Sequence, residues 1–150
     1  MKQKKILRNL NFKKTKKNFW HGKKVFITGI EGFVGSNLAK SLILKNAKVF
    51  GLKKEKKKNS LLKFEKYHQK CKIYKGDITN KKLLLRILSK NKIQVCFHLA
   101  AQPEVGLANS KPYTTWETNV KGTYTLMEAL RQNKNFVKSI VVASSDKAYG

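Results

Sequence analysis

Three glycines in one short stretch could bind a phosphate group through the backbone. Gly29, Gly32 and Gly35 follow the apolar run Lys24–Thr28 and precede an amphipathic segment. Glycine lets a turn adopt backbone angles that a Cβ would forbid, and it lets the backbone approach a ligand closely. The N–H groups and the positive dipole end of a following helix favour an anion, and a diphosphate fits best. The spacing Gly-x-x-Gly-x-x-Gly is a widened dinucleotide-binding fingerprint. An ordinary strand-to-helix turn is the alternative.

Five apolar runs predict the strands that position this turn. Each run is short and rich in β-branched or aromatic residues, which is typical of a strand. The runs are residues 24–28, 48–52, 71–75, 94–99 and 139–144. Strands that are apolar almost throughout indicate a parallel sheet covered on both faces. Because helical segments separate the runs, the sequence predicts an α/β fold, a Rossmann-type doubly wound parallel sheet.

The helices are predicted from apolar residues that recur on one face. After the glycine turn, Val34, Leu38 and Leu42 recur every fourth residue. Thr79 or Asn80 can cap a second helix, and a short helix is expected within residues 61–67. A third helix has an apolar face whose members step by four and three, namely Trp116, Val120, Thr123, Met127 and Leu130.

Ligands of doubly wound sheets bind outside the carboxyl ends of the strands. That rule selects five loops, namely residues 29–35, 52–53, 77–78, 99–103 and 144–147. His98 lies inside a predicted strand, where a packed core histidine is expected rather than a catalytic one. Asp77 has two interpretations, a ligand contact or a residue of the turn that enters the next helix, because aspartate favours such turns.

The chain of 150 residues carries 34 basic and 8 acidic residues, a formal net charge of +26. The basic residues are nearly all lysine, whereas specific nucleic-acid sites depend on the bidentate fork of arginine. We therefore expect solvated lysine faces and no nucleic-acid partner. Residues 1–18 are predicted to be a loose basic arm before a domain over residues 19–150. No signal-peptide core or membrane span is found, so the predicted location is cytoplasmic.

Cys71 and Cys96 show no metal-ligand spacing. Both lie in apolar runs, which indicates buried free thiols in a reducing compartment rather than a disulfide or a metal site. No metal is predicted for this chain.

Motifs in the selected loops resemble those of the extended branch of the short-chain dehydrogenase/reductase family, which acts on nucleotide sugars. They include Thr-Gly-x-x-Gly-x-x-Gly, Gly-Asp-Ile, His-Leu-Ala-Ala-Gln, Thr-Asn-Val-x-Gly-Thr and Ser-Ser-Asp-Lys-Ala-Tyr-Gly. They occupy residues 28–35, 76–78, 98–102, 118–123 and 144–150. Within this branch the chain is most similar to the sugar-nucleotide 4,6-dehydratases of the CDP-glucose type. The resemblance implies a cofactor, NAD, with NADP as the alternative.

The resemblance also implies roles for individual residues. The glycines would surround the pyrophosphate, Asp77 would accept from the adenine amino group, and Asn119 would brace the strand ends. The cofactor-binding set that it implies is Gly29, Gly32, Phe33, Val34, Gly35, Asp77, Ile78, Leu99, Ala100, Ala101, Gln102, Asn119 and Ser144.

The implied catalytic residues are Ser145, Asp146 and Lys147. In the family, a hydroxyl at the first position binds the C4 oxygen of the sugar. Removal of water across C5 and C6 requires an acid for the departing hydroxyl and a base for the C5 proton. Asp146 resembles the acid and Lys147 the base. A surface ion pair on a loop is the alternative for these two residues.

Two departures from the family pattern qualify this interpretation. The Tyr-x-x-x-Lys pair of the family is missing, since Tyr149 is followed only by Gly150, the last residue of the sequence. This predicts an amino-terminal fragment of a protein about twice this size, truncated before the last strands and the substrate domain, and inactive as written. Second, Lys53 stands where many relatives carry an acid for the ribose hydroxyls. A cation there, with Lys54 beside it, could accept the 2′-phosphate of NADP.

The function implied by the resemblance is that of a nucleotide-sugar 4,6-dehydratase, in which hydride leaves C4 and returns to C6 after water is lost. One alternative is a nucleotide-sugar 4-epimerase of the same family. The other is a non-catalytic NAD(P)-binding protein. The expected partners are a nucleotide-sugar substrate and, in the full-length form, a second copy in a homodimer, with no membrane partner.

Overall fold

The computed structural model of the protein describes residues 19–54 and 60–145. The predicted basic arm, residues 1–18, lies outside the described residues. The strands of this part are β1 (Lys24–Thr28), β2 (Lys48–Lys53), β3 (Cys71–Lys75), β4 (Val95–His98) and β5 (Ser139–Val142). All pairings are parallel, in the order β3-β2-β1-β4-β5. The predicted doubly wound parallel sheet is confirmed.

Helices connect successive strands and cover both faces of the sheet. Their bounds are α1 (Phe33–Leu44), α2 (Leu61–Phe64), a 3₁₀ turn (Tyr67–Lys70), α3 (Lys81–Asn91), α4 (Val105–Ser110), α5 (Pro112–Trp116), a π turn (Glu117–Lys121) and α6 (Gly122–Gln132). Across residues 19–54 and 60–145, no helix combines the length and the apolar character that crossing a bilayer requires.

The core has two layers because alternate residues of a strand point to opposite faces. On one face, Phe26 of β1 packs with the buried residues of α3 and α6. On the other, Val25 and Ile27 pack with α1. All three side chains of β1 are fully buried, as expected for the central strand of a sheet with helices on both sides.

Two of the predicted helix faces are wrong in part. Val34 of α1 is 60% exposed, and the buried positions of that helix include Ala39 and Leu42. Trp116 and Val120 are 65% and 45% exposed, although both belong to the predicted apolar face of the third helix. The buried residues of α6 are instead Gly122, Thr125, Leu126, Ala129 and Leu130, and of these only Leu130 belongs to the predicted face.

Local signals for the ends of elements are mostly correct. The Asn80 side chain caps α3 by accepting from the Leu83 N–H at 3.0 Å. The short helix expected within residues 61–67 is present as α2, and Ser60 caps it. β4 ends at His98 rather than residue 99, and β5 ends at Val142 rather than residue 144, so both loops at the carboxyl edge begin earlier than predicted.

The cysteines are free thiols, as predicted, but only Cys96 is buried as predicted. Cys96 of β4 is fully buried, whereas Cys71 of β3 is half-buried, and β2 and β1 lie between their strands. Burial raises the pKa of Cys71 to about 11 and that of Cys96 to about 12. Both thiols therefore stay protonated and weakly reactive at neutral pH.

Candidate functional site

The glycine turn lies where the direction of strand succession reverses. β1 is flanked by β2 on one side and β4 on the other, and the crevice at such a switch point is where ligands of these sheets bind. The loop after β4 comes very close to the loop after β1. A Cβ on Gly29 would lie 2.9 Å from the Leu99 carbonyl oxygen and 3.0 Å from the Ala100 Cα. The structure thus brings two of the predicted loops together.

Close backbone contacts explain two of the three glycines. Gly29 has φ +68°, a conformation that disfavours any side chain. A Cβ on Gly35 would lie 2.3 Å from the Gly29 carbonyl oxygen, so α1 packs directly onto the turn. At Gly32 a Cβ would have one near neighbour, the Gly29 oxygen at 3.1 Å. Gly29 and Gly35 therefore shape the turn, whereas Gly32 leaves space beside it.

The N-terminus of α1 is available to an anion. Gly32 is its N-cap, with no side-chain capping bond and no acidic residue in the first turn. The first N–H groups of a helix, here those of Phe33, Val34 and Gly35, have no partner within the helix. The side chains of Phe33 and Val34 are 84% and 60% exposed. The exposure of Val34 is consistent with its predicted place in the site rather than in the core.

A hydrogen-bonded network fixes the ends of β1 and β4 beneath these loops. Thr28 Oγ1 accepts from the N–H groups of Leu99 and Ala100, each at 3.1 Å. Since these bonds use both lone pairs of the hydroxyl, its proton is donated to His98 Nδ1, 2.7 Å away. This assigns the proton of neutral His98 to Nε2, which donates to Thr123 Oγ1 at 3.0 Å.

His98 is therefore the packed core histidine that the sequence predicts. It is 4% exposed, and burial lowers its pKa, so it stays neutral at pH 7. The network continues when Thr123 donates to the Asn119 carbonyl oxygen at 2.6 Å. A histidine with both nitrogens occupied in this way orients the two strand ends and is not available to a substrate.

Asn119 braces the loop after β4. Its Oδ1 accepts from the Gln102 N–H at 2.7 Å, and its Nδ2 donates to the Gln102 carbonyl oxygen at 3.1 Å. These are bracing bonds of the kind that the resemblance implies, although Asn119 is half-buried rather than buried. Asn119 stands in the π turn between α5 and α6, and such turns frequently occur at functional sites. Sequence reasoning missed that turn.

Asp77 occupies the turn that enters α3, which was one of its two interpretations. Its Oδ1 accepts from the backbone N–H of Thr79 at 2.9 Å and from its hydroxyl at 2.8 Å. Lys54 Nζ lies 3.0 Å from Oδ2. Partial burial acts to raise the pKa of Asp77, but these bonds outweigh it and the pKa is lowered. An open pocket lies between this pair and the side chains of Tyr113 and Glu117. The contact of Asp77 with a ligand stays a prediction.

Ile78 and the residues after β5 complete the set of predicted positions. Ile78 is 5% exposed and lies in the core cluster shared with α3 and α6. Ser144 and Ser145 are exposed just beyond β5, at the same edge of the sheet as the other loops. Asp146 and Lys147 lie outside the described residues, so their acid–base roles stay predictions.

Sequence reasoning missed one charged member of this edge. Glu31, within the glycine turn, is buried and accepts from Lys53 Nζ at 2.9 Å. The lysine that was a candidate for a 2′-phosphate is therefore engaged by a carboxylate. The signal in the sequence was an acidic residue, Glu31, inside the glycine fingerprint. Its partner Lys53 is 22 residues away in the sequence, so the pair could not be predicted from spacing.

A dinucleotide fits this arrangement. The turn is free of side-chain bulk at Gly32, the helix that follows has no side-chain cap of its own, and the Thr28–His98 network holds the opposite loop. Backbone N–H groups at an uncapped helix N-terminus are suited to a pyrophosphate. The exposed Ala101 adds little bulk to the loop after β4.

Comparison with known proteins agrees with this geometry. A family model described as GDP-mannose 4,6 dehydratase matches residues 26–150. The chain is 38% identical over 134 residues to CDP-glucose 4,6-dehydratase of Salmonella typhimurium, covering 89% of the chain and 37% of that protein. It is 35% identical over 137 residues to CDP-paratose 2-epimerase of Salmonella typhi, covering 85% and 38%.

A solved structure shows the same fold. UDP-glucose 4-epimerase from Bifidobacterium longum, in complex with NAD⁺ and UDP, superimposes with a TM-score of 0.75 at 26% identity. The match covers 85% of this chain and 38% of that one. The chain thus spans less than two fifths of the length of these relatives.

Proposed function

Because the chain belongs to the NAD-dependent epimerase/dehydratase family, we propose that it binds NAD and contributes to a nucleotide-sugar 4,6-dehydratase. The observation that carries the proposal is the uncapped N-terminus of α1 at the switch point, beside a turn whose glycines permit close approach. Family membership covers dehydratases and epimerases alike, so it supports the cofactor more directly than the reaction.

Residues of the chain supply the contacts for the cofactor. The N–H groups of Phe33, Val34 and Gly35 would bind the pyrophosphate, and the loop of residues 99–102 would lie along the dinucleotide. Bound NAD would supply oxidation and reduction at a sugar carbon. The residues beneath the loop would act on the ligand indirectly. Thr28, His98 and Asn119 hold the loop backbone in one conformation, which reduces the ordering cost of binding.

Binding of NAD to the whole 150-residue chain can be measured by isothermal titration calorimetry. Gly32→Val places a branched side chain in the space beside the turn, so we expect the binding heat to disappear while the circular dichroism spectrum stays native. Gly106→Val is the matched control, because a Cβ at Gly106 has nothing within 4 Å. Unchanged NAD affinity in folded Gly32→Val would remove the turn from the site.

A 4,6-dehydratase is favoured over other reactions of the family by two features of the sequence. The chain is 38% identical to a CDP-glucose 4,6-dehydratase, and it carries Asp146 and Lys147 directly after Ser145. Elimination of water needs an acid and a base. Asp146 would protonate the departing C6 hydroxyl, and Lys147 would take the C5 proton. Ser145 would bind the C4 oxygen and thereby position the sugar relative to Asp146 and Lys147.

A nucleotide-sugar 4-epimerase is the second candidate, because the chain also resembles epimerases at similar coverage. In the whole protein, Asp146→Asn should lower formation of the 4-keto-6-deoxy product by about 10²- to 10⁴-fold. Oxidation at C4 should survive, so a single-turnover rise in NADH absorbance remains. Lys147→Met should abolish uptake of solvent deuterium at C5. A wild-type protein that only interconverts C4 epimers would establish the epimerase instead.

A homodimer is the proposed assembly. Four large side chains of α5, the π turn and α6 are exposed. They are Tyr113 (75%), Trp116 (65%), Val120 (45%) and Tyr124 (57%). They lie three and four residues apart along the chain, and exposed apolar side chains clustered in this way mark interaction surfaces. For the full-length form, light scattering should give twice the mass of one chain, and Trp116→Lys should give a monomer. A monomeric wild type would refute the assembly.

A further inference from the structure

The loop after β4 ends at Glu104, and side-chain amides hold the backbone of this residue. Gln102 Oε1 accepts from the Glu104 N–H, and Gln102 Nε2 donates to the Glu104 carbonyl oxygen at 3.1 Å. The same Nε2 donates to Thr115 Oγ1 at 3.0 Å, which ties the loop to α5. The Asn119 side chain holds the backbone of Gln102 with two bonds in the same manner. Two successive amide clamps thus fix an exposed residue of the loop.

The Glu104 side chain, in contrast, is left open. It is exposed, and it forms no capping bond although Glu104 is the N-cap residue of α4. Every other acidic residue within residues 19–54 and 60–145 is ion-paired with a lysine or an arginine, namely Glu31, Glu65, Asp77, Glu117 and Glu128. Glu104 is the exception in these ranges, although the chain has 34 basic residues. A fixed backbone and an open polar group are what a ligand-binding residue requires.

Glu104 lies at the edge of the sheet where the sugar is proposed to bind. Ala143, the first residue after β5, donates its N–H to the His98 carbonyl oxygen at 3.0 Å, so the segments after β4 and β5 leave the sheet side by side. Ser145, the proposed contact of the sugar C4 oxygen, belongs to the segment after β5. A carboxylate repels the pyrophosphate of a dinucleotide because both are negative, but it accepts well from hydroxyl groups. The ligand that fits is a neutral group with several hydroxyls, such as a hexose.

We propose that the Glu104 carboxylate binds the C2 and C3 hydroxyls of the hexose and that Gln102 is its positioning residue. The inference rests on the proposed function, since it presupposes that a nucleotide sugar binds at this edge. A 4,6-dehydration acts at C4, C5 and C6, and a 4-epimerisation acts at C4. Both reactions leave the C2 and C3 hydroxyls unchanged, and a carboxylate has acceptor positions for two hydroxyls at once. These contacts are equal in the ground state and the transition state, so Glu104 should lower KM without changing kcat.

The test uses the full-length form with NADH bound, because NADH cannot take hydride from C4. The probe is the tightest-binding of CDP-glucose, dTDP-glucose, UDP-glucose and GDP-mannose, which occur in the names of relatives. Its nucleoside diphosphate is the reference ligand. By calorimetry, Glu104→Ala should weaken binding of the nucleotide sugar by about tenfold or more, and binding of the nucleoside diphosphate by less than about twofold.

Two further measurements on Glu104 separate the sugar from the cofactor. In turnover with NAD, Glu104→Ala should raise KM by about tenfold and leave kcat within about twofold of wild type. The affinity for NAD should be unchanged. Glu104→Gln keeps the shape of the side chain and removes its charge, so its loss of nucleotide-sugar affinity should be smaller than that of Glu104→Ala. Because Glu104 is exposed, both variants should keep the native circular dichroism spectrum.

A double-mutant cycle tests the positioning role of Gln102, at NADH concentrations that saturate each variant. Gln102→Ala should weaken nucleotide-sugar binding by about threefold or more in the wild-type background. It should cause no further loss in the Glu104→Ala background, as expected for residues that act through one contact. A residue that supports only the fold of the loop would cause the same loss in both backgrounds, and that result would remove the positioning role.

Glu65→Gln is the matched control, because it makes the same charge change at an acid that follows α2 and pairs with Lys40 at 2.6 Å. It should bind the nucleotide sugar as wild type does. An equal loss in Glu65→Gln and Glu104→Gln would mean that net charge sets the affinity, and it would overturn the inference.

The remaining outcomes distinguish the inference from the proposed function. Wild-type affinity for the nucleotide sugar in folded Glu104→Ala refutes the inference alone, since Glu104 is then a solvated surface residue. The inference is also refuted if NAD or the nucleoside diphosphate loses as much affinity as the nucleotide sugar does, because the carboxylate then does not act on the hexose. A wild type that binds none of the four nucleotide sugars removes the proposed function and the inference with it.

Discussion

Replacement of Thr28 by valine should destabilise the chain more than any change of one surface hydrogen bond. Thr28 is fully buried, and valine keeps its branched shape while it removes the hydroxyl. Three partners then lose a hydrogen bond, namely the N–H groups of Leu99 and Ala100 and the Nδ1 of His98. The two N–H groups are only partly buried, so water can replace some of what they lose.

The expected size follows from the burial of these partners. A buried polar group left without a hydrogen bond costs about 1–3 kcal/mol. His98 Nδ1 should cost the upper part of that range, and the two N–H groups the lower part. The total is roughly 3–5 kcal/mol, which is a large share of the roughly 5–15 kcal/mol by which domains are stable.

Urea unfolding followed by far-ultraviolet circular dichroism measures this effect. Thr28→Ser is the control, because it keeps the hydroxyl and loses only a methyl group, at a cost of about 1 kcal/mol. We expect a lower midpoint in Thr28→Val with an unchanged slope, since the slope reports the surface exposed on unfolding. Equal stability of Thr28→Val and Thr28→Ser would show that the hydroxyl does not organise the strand ends.

Three further predictions concern the same edge of the sheet. Burial lowers the pKa of His98, so the unfolded chain binds a proton at this histidine before the folded chain does as pH falls below about 6.5. The free energy of unfolding should therefore decrease below that pH by up to about 1.4 kcal/mol per pH unit. The decrease should be smaller in His98→Gln. Gly35→Ala should lower the melting temperature, because the added Cβ would lie 2.3 Å from the Gly29 carbonyl oxygen. This overlap costs about 1–3 kcal/mol, whereas the gain in helix propensity is about 1 kcal/mol. A higher melting temperature would contradict the close packing. Asn119→Ala should cost about 1–3 kcal/mol and speed hydrogen exchange at the Gln102 amide, and unchanged exchange would disprove the brace.

The strands were predictable because burial on both faces leaves a direct mark in the sequence. β1 reads as an unbroken apolar run, and its central side chains are fully buried. The glycine fingerprint then fixed the first crossover, since a strand, a turn and a helix must follow in that order. Close approach of backbones, such as that between Gly29 and the Ala100 segment, is a property that glycine spacing can signal.

The helix faces were less predictable because the buried face of α6 mixes small residues with large apolar ones. In α6, a Cβ on Gly122 would lie 2.4 Å from the Ile78 Cγ2, so the helix lies too near the core for a large side chain. A search for periodic large apolar residues then includes exposed positions, as it did at Trp116. The π turn adds an extra residue to one turn and further shifts the phase between α5 and α6.

The polar part of the site depends on pairs that only the fold brings together. Thr28 and His98 are 70 residues apart in the sequence, and Glu31 and Lys53 are 22 apart. Considered alone, Lys53 predicts a site for a 2′-phosphate. In the structure Lys53 is already paired with the Glu31 carboxylate, and the meaning of a charge in a binding site depends on whether another group already neutralises it.

The site divides into residues that hold the backbone and residues that offer contacts to a ligand. Thr28 and Asn119 belong to the first group, since their side chains are bonded to the loop after β4. We propose Phe33 and Val34 for the second, since they are exposed at an uncapped helix end. A ligand that binds only the folded chain raises its stability in proportion to the logarithm of its concentration. Changes in the first group should therefore lower stability with or without NAD, whereas Gly32→Val should remove only the part of the stability that NAD adds.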